Sequence, residues 1–566
     1  MIINAIDKNN MFLLRWRDSI TRERMEKQIP YTSFRPYFYI LASATEKQFL
    51  IISEYGQKFK IDLFYEADGS VSLDGRLLKK VTWNPPKPGY SRTIRNEWDE
   101  TFEADVPFHY RYAVDEMTEI EEYPMRKVYW DLEWMQGGEH DGKITCISFY
   151  DNYDRFYHLY TWFPDDAEKY DNGTLTKSSF PKMQDQGLVE VFDSEKTMLI
   201  AFMNEITRSD PDMLISWFGS KFDLPKLIQR IHANGLDPRK LSPINDVKGV
   251  YYSDGLKLSK AVEGYSPIEQ PIKGRICLNL DVAFERQWND AQKGTLPSLA
   301  LDFVAETVLG EKKLVSEKFP DKNEFFQKGW LEDTKTYLKY AYIDVNLLVR
   351  LDEENYTSDA ILALQRLLVA PFDACFYASM MASIYFMRNA WWKAPTGVSG
   401  EKTQFQGAMI YDPTEEGTFG LHLGVAAFDF AGLYPSMMIA RNISWETKSA
   451  EPTEFAVNIK TPRDFSEVIE EDYRYYKTDK LGLLPQAVLE LKELRDEYKK
   501  NMKKAHSKYE YSKWNTNQMA VKRLMASFYG VVGFQGYGWA DVDLAQSITA
   551  SAREAIREAA FKVMEL

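Results

Sequence analysis

Cysteine is almost missing from this sequence. The 566 residues hold three, Cys146, Cys277 and Cys375, far apart and in no CxxC pair. That excludes a disulfide-stapled secreted fold and implies a reducing, cytoplasmic setting. Six scattered histidines exclude a zinc constellation. No apolar run reaches the roughly 18 residues that a membrane-spanning helix needs. The first residues, MIINAIDKNNMFLLRW, place Asp7 and Lys8 where a signal peptide requires an apolar core. Repeats and low-complexity tracts are absent too. What is present is ordinary for folded domains: 14% of the residues are aromatic and 27% are charged, with both signs mixed. The length allows about three to five domains. The net charge of −14 speaks against an overall basic surface for nucleic acid, but it is unevenly spread. From Glu490 to Arg523, ten Lys/Arg face five Asp/Glu, so an acidic chain still carries one basic track.

The pattern implies an α/β and α+β multidomain chain. Residues 1–110 read as short strands with turns (FLLRW, PYFYILA, KFKIDLFYE), a β-rich N-terminal domain. Residues 111–351 alternate strands and helices around a mixed sheet. KVYWDLEW and KITCISFYD form adjacent strands joined by a Gly-Gly turn. EKTMLIAFMNEITRS is a helix, DMLISWF a strand, and LPKLIQRIHANG a helix stopped by Gly235. RICLNLDVAF follows as a strand and DTKTYLKYAYIDVNLLVRLDEEN as a long helix. Residues 352–393 form a helical connector that returns to the N-terminal domain. GVAAFDFAGLY is a strand running into a helix. Two long amphipathic helices fill 485–530, with a turn near Ser512 to Asn515, and the last 25 residues form one more helix.

Two constellations carry chemistry. In VYWDLEW the two-residue period of a strand puts Asp131 and Glu133 on one face. An apolar strand that projects paired acids is costly without a cation between them. Asp223 opens the helix of KFDLPKLIQR, where a plain N-cap is the alternative. Tyr340 and Asp344 lie four apart on one helix face. Four acids and a tyrosine are the inventory of a two-metal phosphodiesterase, in which Mg²⁺ prefers carboxylate oxygens. DLE, FD in a strand-to-helix turn and YxxxD resemble the three motifs of the DEDD-type 3′–5′ exonuclease domain joined to family B DNA polymerases. That resemblance implies a ribonuclease H-like exonuclease domain with Asp131, Glu133, Asp223, Tyr340 and Asp344 catalytic and the four acids on metal. The family has an Asn five residues before the second-motif Asp; here that residue is Phe218.

The second constellation is FDFAGLYPSMM. Asp429 sits at the end of an apolar strand before a turn and a helix, which suits metal-bound triphosphate. The segment resembles motif A of family B polymerases, with Gly432 in place of Ser. The resemblance implies that Asp429 is catalytic and binds metal with the Phe430 carbonyl. It places Leu433 and Tyr434 at the nucleotide, with Tyr434 as a steric gate against ribose. GLLPQAVLELKELRDEYKK resembles the first fingers helix and QMAVKRLMASFYG resembles motif B, with Ala526 in place of Asn. By that resemblance Arg495, Lys499 and Lys522 hold the triphosphate, and Tyr529 with Gly530 meets the new base pair and DNA. FQGAM resembles the segment between exonuclease and palm and brings Gln406 and Gly407 to DNA. Arg553 matches the basic residue of the ITxxGR helix, also on DNA.

No DTDS motif, the family's third, occurs anywhere, and Asp541-Val542-Asp543 reads as structural. The resemblance therefore implies an N-terminal domain (1–110), an exonuclease (111–351), a connector (352–393), a first palm part (394–450), fingers (451–535) and an incomplete palm continuation (536–566). It implies two Mg²⁺ per active site, with Mn²⁺ as the alternative. The partners implied are primer–template DNA, dNTPs, a sliding clamp, and a second chain bringing the DTDS-type motif and thumb, unless the sequence is part of a longer one. A stand-alone 3′–5′ DNA exonuclease with a vestigial polymerase half, or a non-catalytic DNA-binding subunit, are the alternatives. The compartment expected is the cytoplasm, that of the host for a viral chain.

Overall fold

Short β-branched and aromatic runs separated by turn residues build the chain up to Phe102 largely as antiparallel sheet. Strands β1 (Ile2–Ile6), β2 (Met11–Arg17) and β3 (Arg24–Pro30) form a three-stranded sheet. Strands β4 (Tyr37–Leu41), β5 (Phe49–Glu54), β6 (Gln57–Glu66), β7 (Leu78–Asn84) and β8 (Thr101–Phe102) form a second, in the order β5-β6-β7-β4-β8. Its core holds Phe38, Ile40, Ile61, Val81 and Trp83, closed by Ile94 of the one-turn helix α1 (Ser91–Ile94). Helix α2 (Phe108–Glu116) follows. This computed structural model describes residues 1–6, 9–54, 57–164, 173–175, 186–290, 294–397, 403–409, 420–426 and 428–565.

Two compact units result. One comprises Met1–Ile29, Glu119–Arg366 and Pro371–Asp373; the other comprises Pro30–Thr118, Leu367–Ala370 and Ala374–Leu566. The N-terminal domain expected over 1–110 is thus divided after Ile29. The cause is electrostatic. Arg15 donates to the Asp210 carboxylate at 2.8 Å and to the Gly274 carbonyl at 2.7 Å. Arg17 reaches Asp212 at 2.7 Å, and Arg24 binds both Asp210 and Asp212. Arg275, the fourth guanidinium of the network, adds a third to the Asp210 carboxylate, at 2.7 Å. Asp212 is wholly buried, so the first hairpin cannot leave this unit without stranding a charge.

The first unit is built on a seven-stranded mixed sheet. Its strands are β9 (Lys127–Trp134), β10 (Ile144–Asp151), β11 (Phe156–Trp162), β12 (Gly173–Leu175), β13 (Gln186–Phe192), β14 (Met213–Ser216) and β17 (Ile276–Asn279), in the order β12-β13-β11-β10-β9-β14-β17. A separate hairpin, β15 (Val250–Tyr252) and β16 (Leu256–Leu258), stands apart. β9 and β10 are antiparallel and β14 runs parallel to β9. Helix α3 (Glu195–Ser209) starts at Ser194, whose side chain accepts from Thr197 N–H in a capping box. α4 (Asp223–Ala233) ends before Gly235 at φ +71°. RICLNLDVAF is a strand only to Asn279; α5 (Leu280–Asp290) takes the rest. Helices α6 (Leu301–Leu309), α7 (Lys322–Glu332), α8 (Thr334–Asn355) and α9 (Thr357–Leu368) complete the helical part. Both faces of β9 are covered. Trp130 packs on Phe202 of α3, and Tyr129 donates to Asp352 of α8 at 2.6 Å.

In the second unit, α10 (Ala378–Asn389) packs against α2. Arg388 donates to the carbonyls of Ala113, Val114 and Met117. α11 (Leu433–Ala440) precedes a small sheet of β18 (Lys448–Ser449), β19 (Phe455–Asn458) and β20 (Tyr473–Tyr476). α12 (Leu483–Lys503) and α13 (Lys508–Gly533) form a long helical hairpin, and α14 (Val542–Met564) ends the described chain. The hairpin turns at residues 504–507, not at Ser512 to Asn515. Ser507 caps α13 by accepting from Glu510 N–H at 3.1 Å, and Glu510 accepts from His506 N–H at 2.8 Å, an S-x-x-E signal that starts the helix earlier.

The expected strand GVAAFDF is not formed. Its described residues are irregular, and Val425 and Phe428 are exposed. A strand needs a neighbour for its backbone groups, and among the described residues none pairs with it. The carboxylate network makes a stability prediction. Asp212→Ala should destabilise the first unit by about 3–5 kcal/mol, because Arg17 and Arg24 lose their partner. Urea titration followed by tryptophan fluorescence would detect this, and an unchanged midpoint would contradict it.

Candidate functional site

The alternation of β9 decides where the acids go. Tyr129, Asp131 and Glu133 share the face toward α8, whose one-turn spacing brings Tyr340 and Asp344 to meet them. Ligand oxygens of Asp131, Glu133 and Asp344 all lie within 4.8 Å of one another. Asp223 arrives from β14 through a tight turn. A Cβ on Gly219 would stand 1.7 Å from Ser216 Oγ, so the turn needs glycine. Asn279 Oδ1 then accepts from Ser220 N–H at 2.8 Å, fixing the start of α4. The four acids and Tyr340 line one cavity of about 290 Å³, together with Trp134, Trp217, Phe218 and Phe222. Phe218, where the family has Asn, stands edge-to-face with Phe222 at 6.2 Å.

Burial drives Asp131 and Glu133 well above the usual carboxylate range, and the neighbouring acids push them further. Burial likewise pushes Asp223 up to about 7 and raises Asp344, with Lys313 pulling both the other way. Asp344 Oδ1 is buried without a hydrogen-bond partner. Crowded carboxylates with an orphaned buried oxygen fit a divalent cation. Lys313 escaped the sequence reading. It ion-pairs with Asp344 and lies 3.2 Å from the Tyr340 hydroxyl. Burial opposes its charge, but Asp344 and Asp131 hold it protonated. Its only sequence signal is a Lys-Lys pair after a helix-stopping glycine (Gly310), which surface loops share.

The second constellation is placed less completely. Asp429 and Phe430 lie in the exposed irregular stretch before α11. Among the described residues no further acidic group of metal-binding geometry accompanies Asp429. Gly432 takes φ +71° at the N-cap of α11, a conformation in which serine is strained. Leu433 opens α11. Tyr434 packs on Tyr529 of α13, ring centroids 4.7 Å apart, and Gly530 beside it is exposed with open space around its Cβ position. Arg495 donates to Gln518 of α13 at 3.0 Å, and Tyr498 packs on Trp514. Arg495 and Lys499 lie on α12 and Lys522 on α13. Lys499 is half-buried, 3.7 Å from Asp496.

Arg553 departs from expectation. It is 1% exposed, and its guanidinium donates to the carbonyls of Gln406 (3.2 Å), Gly407 (2.6 Å), Ile459 (3.1 Å) and Thr461 (2.7 Å). With its donors on backbone it fixes the Gln406–Gly407 segment. Thr549 also donates to the Gln406 carbonyl, at 3.1 Å. Asp541 is structural as read: it caps α14 through Leu544 N–H and ion-pairs with Lys448 at 2.7 Å. Asp543 accepts from Arg474.

The architecture is that of a DNA polymerase. A solved family B DNA polymerase from the hyperthermophilic archaeon Pyrobaculum calidifontis superposes over 100% of this chain and 71% of its own, with a TM-score of 0.69 and 17% identity. The family model for DNA polymerase family B matches residues 375–565, and that for the family's exonuclease domain matches 139–278. A DNA polymerase of Pyrococcus glycovorans is 27% identical over 81% of this chain and 54% of its own length. DNA polymerase 1 of Pyrococcus abyssi is 26% identical over 94% of this chain and 65% of its own length. The chain belongs to family B of the DNA polymerases. It spans less than two thirds of the length of these two relatives, and no helix described here is long and apolar enough to cross a membrane.

The raised carboxylates predict a pH dependence. Without a cation the folded acids keep protons that the unfolded chain gives up, so their contribution is present at low pH. For Asp223 it is lost as pH rises from about 4 to about 7. In EDTA the melting temperature of the first unit should fall across that window, less steeply in Asp223→Asn. Mg²⁺ should recover most of the loss on the alkaline side. Calorimetry with and without Mg²⁺ checks this; a Mg²⁺ effect independent of pH would contradict it.

Proposed function

We propose that this chain supplies the exonuclease, the first part of the palm and the fingers of a DNA-directed DNA polymerase with 3′–5′ proofreading. The observation that carries the reading is the convergence of Asp131, Glu133 and Asp344 within 4.8 Å, with Asp223 and Tyr340 on the same cavity. In the nuclease, Asp131, Glu133, Asp223 and Asp344 would hold two Mg²⁺, with Mn²⁺ as the alternative. Such ions, when bound, supply an activated oxygen nucleophile and stabilise the leaving oxygen. Tyr340 holds the attacking water by its hydroxyl, and Lys313 keeps Asp344 turned into the cavity. The aromatic walls around Phe218 and Phe222 receive the unpaired end of the strand by stacking.

For synthesis, Asp429 and the Phe430 carbonyl would hold metal, and Leu433 would lie beside the incoming dNTP. Tyr434 lies under its sugar, where a 2′-hydroxyl collides with the ring. Arg495, Lys499 and Lys522 neutralise the triphosphate. Tyr529 and Gly530 meet the new pair in the minor groove, whose acceptors are nearly the same for every pair. Gln406 and Gly407 guide the strand between the two sites, held in place by Arg553. The remaining palm carboxylates and the thumb come from a second polypeptide, and a sliding clamp adds processivity. Two features among the described residues support the second polypeptide: no companion acids accompany Asp429, and no strand pairs with the exposed apolar run Leu421, Leu423, Val425 and Phe428. Three free, buried cysteines support a cytoplasmic setting, a host's for a viral source.

The test is primed DNA with Mg²⁺. The chain alone should degrade the primer, and Asp131→Ala should slow this by more than about a hundredfold, beyond what loss of an outer-shell metal partner costs. Extension should appear only when a polypeptide with the DTDS-type motif and thumb is added. Extension by this chain alone would overturn the two-polypeptide reading; undiminished degradation by Asp131→Ala would overturn the nuclease assignment.

A further inference from the structure

The acid cavity does not end at the acids. A second chamber of about 440 Å³ adjoins it and shares Asp302, Lys313, Lys322 and Tyr340 as walls. The two ends of this cleft differ in chemistry. On the near side Trp134, Trp217, Phe218 and Phe222 offer rings, with Lys226 over Trp134 and Lys221 over Phe222, neither of them a wall of the cavity. The far chamber adds Lys312 and the rings of Phe303, Phe319 and Phe325. Lys312 is committed to Glu306 at 2.7 Å and Lys313 to Asp344. Lys322 is not: at the first turn of α7 it is exposed, and among the described residues it pairs with no carboxylate. An unpaired ammonium between four crowded acids and an aromatic chamber is an anion site facing a ring site, and the volume is of the size that small ligands occupy.

Resting on the nuclease reading above, we propose that this chamber is a product site for a nucleoside 5′-monophosphate, with Lys322 on the phosphate and Phe303 and Phe319 against the base. The chemistry requires such a species. Water oxygen bonds to the terminal phosphorus, the bond from phosphorus to the 3′-oxygen of the preceding nucleotide breaks, and that oxygen leaves with a proton. One water is consumed, and the severed nucleotide departs with its 5′-phosphate carrying two negative charges. Carboxylates repel it, and Lys322, a wall of both cavities, attracts it. The product thus leaves the acids through the far chamber past Lys322, so the shortened strand need not dissociate for the product to clear.

The test uses the full chain and 2′-deoxyadenosine 5′-monophosphate in EDTA, with binding followed by calorimetry, so it needs no turnover. Binding should weaken by about tenfold or more in Lys322→Gln, and weaken in Phe303→Ala. Asp131→Ala should retain it, and deoxyadenosine without phosphate should bind more weakly than the monophosphate. In steady-state degradation of a single-stranded oligonucleotide with Mg²⁺, the monophosphate should inhibit noncompetitively with respect to the strand. No binding at millimolar concentration, binding indifferent to both variants, or strictly competitive inhibition (the chamber then seats the strand) would overturn the proposal. Monophosphate binding without any degradation of DNA would instead count against the nuclease reading on which it rests.

Discussion

Four carboxylates buried together are the constraint around which the first unit is organised. Each resists ionisation in the presence of the others, and a folded chain bears that cost only where something positive stands among them. Lys313 is that counter-charge in the protein itself, and a divalent cation is the stronger one. The surrounding structure fixes the acids from two sides. α8 lies on β9 so that a four-residue helical step matches a two-residue strand step. Four guanidiniums grip Asp210 and Asp212 at the start of β14, while Gly219 and Asn279 fix the turn at its end. Asp223 is therefore placed by a strand held at both ends, and the first hairpin serves this unit and not the sheet that follows it in sequence.

Much of this was legible because the signals are local. A strand period of two and a helix period near four put Asp131, Glu133, Tyr340 and Asp344 on facing surfaces before any fold is known. Gly235 and the Ser194 cap bound their helices in the same way. What was not legible depends on distant partners. The grip of Arg15, Arg17 and Arg24 on Asp210 and Asp212 joins residues almost two hundred positions apart, and nothing in FLLRW announces it. Lys313 stands in a loop whose Lys-Lys pair has the look of any solvated surface. The fingers turn was misplaced for a different reason: Ser512 and Asn515 are turn-forming residues, but Ser507 with Glu510 satisfies the helix start first.

Arg553 shows how a charge can mislead. An arginine in a motif associated with DNA reads as a phosphate contact, yet a guanidinium has five donors in a fixed fork and can spend them on carbonyl oxygens. Here they fasten residues 406, 407, 459 and 461 to α14. The charge is buried, and burial lowers its affinity for a proton to about 10 while the polarised carbonyls compensate. What it fixes is the position of the Gln406–Gly407 backbone.

The polymerase half divides along the same physical line. Tyr434, Tyr529, Arg495 and Lys522 ride on helices, which satisfy their own backbone hydrogen bonds and pack by side chains. Their arrangement needs only α11, α12 and α13 to be present. Asp429 belongs to a segment whose apolar alternation suits a strand, and a strand satisfies its backbone only through neighbours. Tyr434, Tyr529, Arg495 and Lys522 are therefore set by helices of this chain, while Asp429 lies in a stretch that no strand adjoins among the described residues. Leu421, Leu423, Val425 and Phe428 are exposed beside Asp429, and among the described residues no strand pairs with that segment to cover the first or to bring acids to the second.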